Sequence, residues 1–329
     1  MVDLATLVED AKHSDLFTAP RLEADLAAFL QDQSGRVRQL AQRTAKGEFD
    51  QVYFVGSGGS WSNMYSGQYL TDRYTSVPAE VLTSYELTWR RPARLGPRAL
   101  VFAASYSGST EDTLAALRHA NEAGATTVAL TRRHESPMSV EADEVIDYES
   151  TALYILPLAA VTLYGLELCR LSRGAHREDA VSALAQMPDL PRLLGEAYRR
   201  AEADSLEQAR RFLSATAMTV LASGPLLGLG YKYALTVFME NIRVAGSFIE
   251  SSEFRHGPVE ALERSRLDVV ALLGTDESRS MTERAIAAVE TGGSRVLRFD
   301  AADYDGVHPQ FAPFLLLVPL QWFTVHSAL

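Results

Sequence analysis

The chain of 329 residues contains a single cysteine, Cys169, and an excess of acidic over basic side chains, 42 against 31. One cysteine excludes an intrachain disulfide and a zinc site built from several cysteines, and it gives no sign of secretion. The formal net charge of −11 repels nucleic-acid phosphates, so we expect no nucleic acid among the partners. A small anionic ligand is not excluded, because it responds to the local field of one pocket.

Signals for export and for membrane insertion are also missing. The first 30 residues carry several acidic side chains and lack the basic segment and apolar core of a signal peptide. The strongly apolar stretch near the C-terminus, residues 314–320, is far shorter than the roughly 20 residues of a spanning helix. We therefore expect a cytoplasmic protein that does not bind a membrane.

The composition, 47% hydrophobic and 22% charged, is that of a soluble globular protein, and the length fits about two domains. After a helical segment at residues 1–47, short β-branched and aromatic runs alternate with helical runs. This alternation predicts a parallel sheet with helices on both faces. It restarts beyond residues 173–190, whose polar, proline-containing sequence predicts a linker. We predict a helical segment (1–47) and two α/β domains (48–190 and 191–329).

Two loops of similar chemistry follow predicted strands of the first domain, Gly56-Ser-Gly-Gly-Ser60 and Ser105-Tyr-Ser-Gly-Ser-Thr110, and each leads directly into a helix. A helix N-terminus offers free N–H groups and a positive dipole end, and glycine lets the backbone approach a ligand. Hydroxyl groups add hydrogen-bond donors without charge. Turn and capping residues would explain either loop alone, but the two together predict a phosphate site.

Two common nucleotide-binding motifs do not occur. Trp61 stands where the dinucleotide fingerprint requires its third glycine, and no Gly-Lys-Ser/Thr sequence is present. The order strand, Gly-Ser-Gly-Gly-Ser, helix, strand, Ser-x-Ser-Gly-x-Thr instead resembles the sugar isomerase (SIS) domain, over roughly residues 45–325 as two tandem domains. Tyr106 stands where glutamine is common in the aminotransferase branch of that family.

The resemblance implies a fold and a ligand. The fold class is α/β, with two tandem SIS domains that each hold a parallel sheet of about five strands flanked by helices. The ligand is a small-molecule phosphosugar. The resemblance implies that its phosphate is bound by the following residues: Gly58, Gly59, Ser60, Ser105, Ser107 and Thr110.

Two motifs of the second domain carry titratable side chains. Glu240 lies in a largely apolar helix, where a carboxylate is costly unless it is paired, for example with Arg243, or lines a cavity. A carboxylate in a cavity is suited to act as a general base. His256 precedes Gly-Pro, which places the imidazole in a loop or at a helix start, and histidine transfers protons near pH 7. A surface or capping histidine is the alternative interpretation.

Glu253-x-x-His256-Gly-Pro resembles the signature of tandem SIS enzymes that act on hexose 6-phosphates. These are the isomerase half of glucosamine-6-phosphate synthase and the fructosamine-6-phosphate deglycases. In both, the base is a glutamate sixteen residues before the histidine, which is the spacing of Glu240 and His256. The resemblance implies that Glu240 is the base and that His256 opens the sugar ring, often from the neighbouring subunit of a homodimer. Val237 stands where the synthase carries a lysine, and because valine forms no imine we favour the deglycases.

We therefore predict an enzyme that cleaves a 6-phosphorylated fructosamine, an Amadori compound, to glucose 6-phosphate and a free amine or amino acid. It would use no cofactor and no metal, and it would work as a homodimer with the active site at the subunit interface. A phosphosugar aldose–ketose isomerase or an amino-sugar-phosphate deaminase is the first alternative. A non-catalytic SIS regulator that binds a phosphosugar is the second. The amine that leaves is not readable from the sequence.

Overall fold

The computed structural model describes residues 3–152, 154–172 and 174–329. The chain forms two compact units. The first unit is Ala24–Pro191, and the second unit combines Met1–Glu23 with Arg192–Leu329. The domain boundaries proposed from the sequence stay predictions.

Each unit is built on a parallel sheet. The strand order is β2-β1-β3-β4-β5 in the first unit and β7-β6-β8-β9 in the second. The strands of the described residues are β1 (Gln51–Gly56), β2 (Ala79–Thr83), β3 (Ala99–Ala104), β4 (Thr126–Thr131), β5 (Glu144–Asp147), β6 (Ala217–Ala222), β7 (Ala245–Glu250), β8 (Asp268–Leu273) and β9 (Arg295–Asp300).

Helices connect these strands. The α-helices of the described residues are α1 (Leu4–Lys12), α2 (Leu22–Ala45), α3 (Gly59–Tyr74), α4 (Ser84–Arg90), α5 (Glu111–Glu122), α6 (Pro137–Glu141), α7 (Ile155–Leu171), α8 (Arg177–Gln186), α9 (Leu190–Phe212), α10 (Leu227–Lys232), α11 (Arg279–Thr291) and α12 (Ala312–Ala328). A π-helix, Tyr233–Ile242, directly continues α10.

The first sheet is buried on both faces, as parallel sheets usually are. Every residue of β1 and of β3 is buried. Phe54 of β1 stacks on Phe102 of β3 with ring centroids 5.3 Å apart, and Tyr164 of α7 packs edge-on against both rings. Each fully buried side chain of this size contributes roughly 1.5–3 kcal/mol of transfer free energy. This core fixes the two strands that precede the serine-rich loops.

The register of the first sheet sets the level at which those loops begin. Gly56, the last residue of β1, pairs with Ala104, the last residue of β3, and with Thr83, the last residue of β2. The loops after β1 and β3 therefore leave the same carboxyl edge at the same height. In open parallel sheets, ligands bind at this edge.

The core of the second unit includes one strongly apolar helix, α12. By length and composition, Pro309–Ala328 would suffice to cross a membrane, but about two thirds of its apolar window (67%) is buried inside the protein. Within its own unit α12 packs against the π-helix and β9. Such burial is typical of the core helix of a folded domain. In the described residues no other helix is long and apolar enough to cross a membrane.

The structure confirms two parallel sheets flanked by helices and changes several details. The second sheet has four strands in the described residues, not about five. Strand β7 was not predicted from the sequence, and it directly follows the predicted helix. The predicted linker at 173–190 is wrong where α8 forms, because α8 buries Ala180 and Ala183 and packs against α7. These two small apolar side chains outweigh the polar composition of the segment.

Candidate active site

The loop after β1 delivers a helix start to the carboxyl edge of the first sheet. Gly58 has φ +54° and forms the N-cap of α3 without any side-chain cap, and Gly59 is the first residue of the helix. Ser60 lies in the first turn and is half-buried. Because a residue with a side chain adopts this φ only with strain, glycine suits the point where the chain turns into the helix. The loop therefore presents backbone and one hydroxyl at a helix N-terminus.

The loop after β3 is organised by its own hydroxyls. Ser105 Oγ lies 2.7 Å from Thr110 Oγ1 and accepts a hydrogen bond from the Gly108 N–H at 3.2 Å. Ser107 Oγ accepts from both the N–H and the hydroxyl of Ser109, at 3.2 and 3.1 Å. Thr110 is the N-cap of α5, yet its side chain makes no capping hydrogen bond. Helix capping therefore does not explain the hydroxyl of Thr110.

A hydrogen bond connects the first loop to the helix that follows the second loop. Ser57 Oγ donates to Asp112 Oδ2 at 2.5 Å, and Asp112 lies in the first turn of α5. The first serine-rich loop is thus joined to the start of the helix that follows the second loop. The bond also places a carboxylate next to the predicted phosphate site.

A tyrosine–arginine pair adjoins the second loop, and the sequence analysis did not single out its arginine. Arg132 directly follows β4 and donates from Nη1 to Tyr106 Oη at 2.9 Å. Its guanidinium carbon lies 5.5 Å from the centroid of the Tyr106 ring, and the backbone N–H of Arg132 donates to the Tyr106 carbonyl at 3.2 Å. Burial raises the pKa of Tyr148, which follows β5, and the nearby Tyr106 adds to the rise, whereas Arg132 opposes it. The position of Arg132 at the end of a parallel strand was the available signal in the sequence.

In the second unit, Glu240 lies in the π-helix. Helices of this type are rare and occur often at functional sites. The π-helix ends at Ile242, and the next residue, Arg243, is its C-cap with φ +61° in the left-handed region. In the described residues no ion pair joins Glu240 to Arg243, so the pairing that α-helical spacing would allow is not formed.

The carboxylate of Glu240 lies instead on the wall of a cavity of about 590 Å³. Val237, Asn241 and Arg243 line the same cavity, together with residues of the N-terminal segment and of α12. The Glu240 side chain is exposed, although the helix around it is largely apolar in sequence. The sequence allowed either an ion pair with Arg243 or a position on a cavity wall, and the structure shows Glu240 on a cavity wall.

A lysine directly before the π-helix interacts electrostatically with Glu240. Lys232 is only 8% exposed. Burial lowers the pKa of Lys232 to about 8, and the charge of Glu240 opposes this shift. A substantial share of this amine is therefore neutral just above neutral pH.

His256 lies on the surface of the second unit, between two short 3₁₀ helices, Ser251–Arg255 and Pro258–Glu263. Its Nε2 accepts a hydrogen bond from Arg255 Nε at 3.0 Å, and Gly257 follows with φ +130°. Within the described residues, His256 does not line the cavity of Glu240 and makes no hydrogen bond to it. The second unit alone therefore does not bring the predicted base and the predicted histidine together.

The described residues include no group of three or more His, Cys, Asp or Glu side chains placed to hold a metal ion. Cys169 is buried in α7, and burial raises the pKa of its thiol to about 11. The thiol is therefore protonated at neutral pH and is a poor nucleophile.

Comparison with known proteins supplies the family. The SIS domain matches residues 48–164, a range that includes both serine-rich loops. The chain is 32% identical to the fructoselysine 6-phosphate deglycase of Escherichia coli (strain K12) over 294 residues, 89% of this chain and 86% of the relative. It is 31% identical to the fructosamine deglycase of Bacillus subtilis (strain 168), over 87% of this chain and 84% of the relative.

A solved structure supports the architecture. The C-terminal domain of the glucosamine-fructose-6-phosphate aminotransferase from Francisella tularensis superposes with a TM-score of 0.82 at 18% identity, covering 95% of this chain and 94% of that domain. This likeness shows the fold alone. Together with the sequence matches, it means that the chain is a SIS-domain protein. It belongs to the family of enzymes that includes the fructoselysine 6-phosphate deglycases, which confirms the family expected from the motifs.

Proposed function

We propose that this protein is a deglycase that cleaves a 6-phosphorylated fructosamine to glucose 6-phosphate and a free amine or amino acid. The observation that carries the proposal is the placement of Glu240. In a chain related to such deglycases, this carboxylate lies exposed on a cavity of about 590 Å³, without an ion pair to Arg243. Cavities of roughly 300–1,000 Å³ are typical of small-molecule sites.

The phosphate of the substrate would be bound in the first unit by the hydroxyls of Ser60, Ser105, Ser107 and Thr110, with the backbone of Gly58 and Gly59. The common carboxyl edge of β1 and β3 supports this assignment, because both loops begin there at the same level. Fixing the phosphate also fixes the sugar carbons relative to the reacting groups, which lowers the entropic part of the barrier.

In the reaction, His256 would assist opening of the sugar ring. Glu240 would then remove a proton from C1 and return it to C2, so that the ketosamine passes through an enaminol to an aldimine. Water adds to the aldimine carbon, and the C–N bond breaks to release the amine and glucose 6-phosphate. The substrate already carries its nitrogen at C1, so an enzyme imine is not needed and Val237 is no obstacle. General acid–base catalysis of this kind contributes roughly 10²–10⁴-fold per group.

The proposal includes a homodimer with the active site at the subunit interface, a second SIS domain in the second unit and a cytoplasmic location. The exposure of His256 supports the interface, because this side chain lies outside the cavity of Glu240 and is accessible to a second copy. The parallel β7-β6-β8-β9 sheet supports the second SIS domain. Sedimentation of the purified protein measures the dimer directly.

The test is a product assay on a panel of fructosamine 6-phosphates that differ in the amine. We expect equal amounts of glucose 6-phosphate and free amine, with no ammonia. Ammonia from an amino-sugar phosphate would instead indicate a deaminase, and interconversion of free hexose phosphates an isomerase. Tight binding of these compounds without turnover would contradict the enzymatic proposal and indicate a regulator.

A further inference from the structure

The predicted phosphate site poses an electrostatic problem. A phosphate monoester carries a charge of roughly −1.5 to −2 at pH 7. The loops assigned to it offer hydroxyls and N–H groups, which carry no net charge. The Ser57–Asp112 hydrogen bond places a carboxylate beside them, and Glu111 precedes Asp112 in the first turn of α5. A cation near these loops would offset that repulsion.

Arg132 has the position and the surroundings of such a cation. It directly follows β4, the neighbour of β3 in the sheet, so it leaves the same carboxyl edge as the second loop. It is half-buried, and the described residues contain no ion pair between its guanidinium and a carboxylate. The Glu149 N–H donates to the Arg132 carbonyl at 2.8 Å, while the Glu149 carboxylate accepts from the His134 N–H.

Tyr106 holds this guanidinium next to the loop in two ways. The tyrosine hydroxyl accepts from Arg132 Nη1, and the aromatic ring lies against the guanidinium. A backbone hydrogen bond from the Arg132 N–H to the Tyr106 carbonyl also joins the two main chains. An arginine side chain carries five N–H donors in a planar fork that matches phosphate oxygens. In the described contacts, Tyr106 uses one of them. The restraint thus fixes the fork while leaving donors for a ligand.

We propose that Arg132 is the cation of the phosphate site and that Tyr106, a member of the loop itself, is its positioning residue. This inference rests on the proposed function, because it presupposes a phosphate at the serine-rich loops. It assigns the charge of the site to a residue outside both motifs. It also gives Tyr106 a role different from direct contact with the ligand.

The experiment measures binding of inorganic phosphate to the full-length protein by calorimetry, together with KM for a fructosamine 6-phosphate. We expect Arg132→Gln to weaken both about 10–100-fold, in line with the loss of a charge-assisted hydrogen bond. The salt dependence of binding should become shallower, which a purely structural role would not produce. Arg132→Lys, which keeps the charge without the fork, should lie between the wild type and Arg132→Gln. Tyr106→Phe should raise KM several-fold with little change in kcat.

The matched control is Arg133→Gln, because Arg133 is the exposed neighbour of Arg132 and should leave phosphate affinity unchanged. Ser105→Ala tests the phosphate site independently of Arg132. If Ser105→Ala weakens phosphate binding and Arg132→Gln does not, the role of Arg132 is overturned while the phosphate site stands. If neither variant changes phosphate binding or KM, the phosphate site itself is wrong. Equal affinities of Arg132→Lys and Arg132→Gln would overturn the role of the charge. If Arg132→Gln fails to fold, Arg132→Lys and Tyr106→Phe decide, because wild-type phosphate affinity and KM in both would overturn the role of Arg132.

Discussion

Ser105 and Thr110, at opposite ends of the loop after β3, place their hydroxyl oxygens 2.7 Å apart. The hydroxyl of Ser105 is buried at the end of its strand, and that of Thr110 stands at the start of α5 without capping it. The pair closes the loop into a ring of polar groups, with the Gly108 N–H directed at Ser105. A ligand with several acceptor oxygens would find donors here whose positions are already set.

Thr110→Val removes one of these hydroxyls and keeps the shape of the side chain. We expect KM for a 6-phosphorylated substrate to rise about 10–100-fold, because a hydrogen bond to a charged group contributes roughly 1.5–3 kcal/mol. The change in kcat should be much smaller. Steady-state kinetics measure both. Ser76→Ala, an exposed serine before β2 at the amino edge of the sheet, is the control and should leave KM unchanged.

Gly108→Ala should destabilise the protein and weaken phosphate binding together. Gly108 has φ +64°, and an added Cβ would lie 2.7 Å from Thr131 Oγ1 and still closer to Ser136. We expect a fall of about 2–4 kcal/mol in the free energy of unfolding, measured by urea denaturation, from backbone strain plus steric overlap.

Gly47→Ala is the matched control for that variant. Gly47 has φ +81°, but an added Cβ would meet nothing within 4 Å. Gly47→Ala should lower the free energy of unfolding only by the backbone strain, about 1–2 kcal/mol, and leave phosphate binding intact. Equal losses in the two variants would show that the packing of Gly108 against Ser136 and Thr131 does not matter.

Glu240→Gln should lower kcat by about 10²–10⁴-fold while the protein stays folded, because the amide keeps the size of the side chain and cannot accept the C1 proton. The exposed carboxylate makes no described ion pair with Arg243, so its loss should change the melting temperature little. The rate of exchange of the C1 hydrogen with solvent deuterium reports the proton step itself. Glu263→Gln, an exposed glutamate of the same unit, is the control. Wild-type exchange in Glu240→Gln would remove the assignment of the base.

Lys232→Met should change how the free energy of unfolding depends on pH. Burial lowers the pKa of Lys232 to about 8 from its ordinary value of 10.5, so the unfolded chain binds more protons between these two values. The charged amine therefore costs stability below pH 8, on the order of 3 kcal/mol, and this cost disappears as the pH rises to 10.5. The free energy of unfolding of Lys232→Met relative to the wild type should be highest at pH 7 and fall toward pH 10. A difference that stays constant over this range would contradict the shifted pKa.

The first sheet was predictable because its strands are short apolar runs separated by clear helical segments. The structure places β1, β3, β4 and β5 where those runs occur. β7 and α8 were not predictable in the same way. Ala245–Glu250 is only partly buried and lacks the continuous apolar run of a central strand, and α8 depends on contacts with α7. Whether such a strand or helix forms depends on the elements that pack against it.

Some residues of the candidate site were likewise predictable from the sequence, and others were not. The serine-rich loops could be predicted as a ligand site because glycine and serine after a strand indicate a ligand loop. Glu240 and His256 could be singled out as candidate catalytic residues because their motifs and spacing resemble those of the SIS enzymes. The role proposed for Arg132 needed the structure, because its position after a strand does not reveal the contact with Tyr106, 26 residues away in the chain. Nor did the apolar sequence around Glu240 predict the exposure of its carboxylate.

The sequence by itself determined the parallel α/β architecture and the family, and it predicted phosphate binding at the serine-rich loops, because these depend on local patterns of apolar runs, glycines and hydroxyls. Only the tertiary structure decided that a π-helix presents Glu240 to a cavity and that a guanidinium lies against the ring of Tyr106. Such arrangements arise when residues distant in the chain pack together, and the electrostatics and solvent exposure of each group depend on that packing.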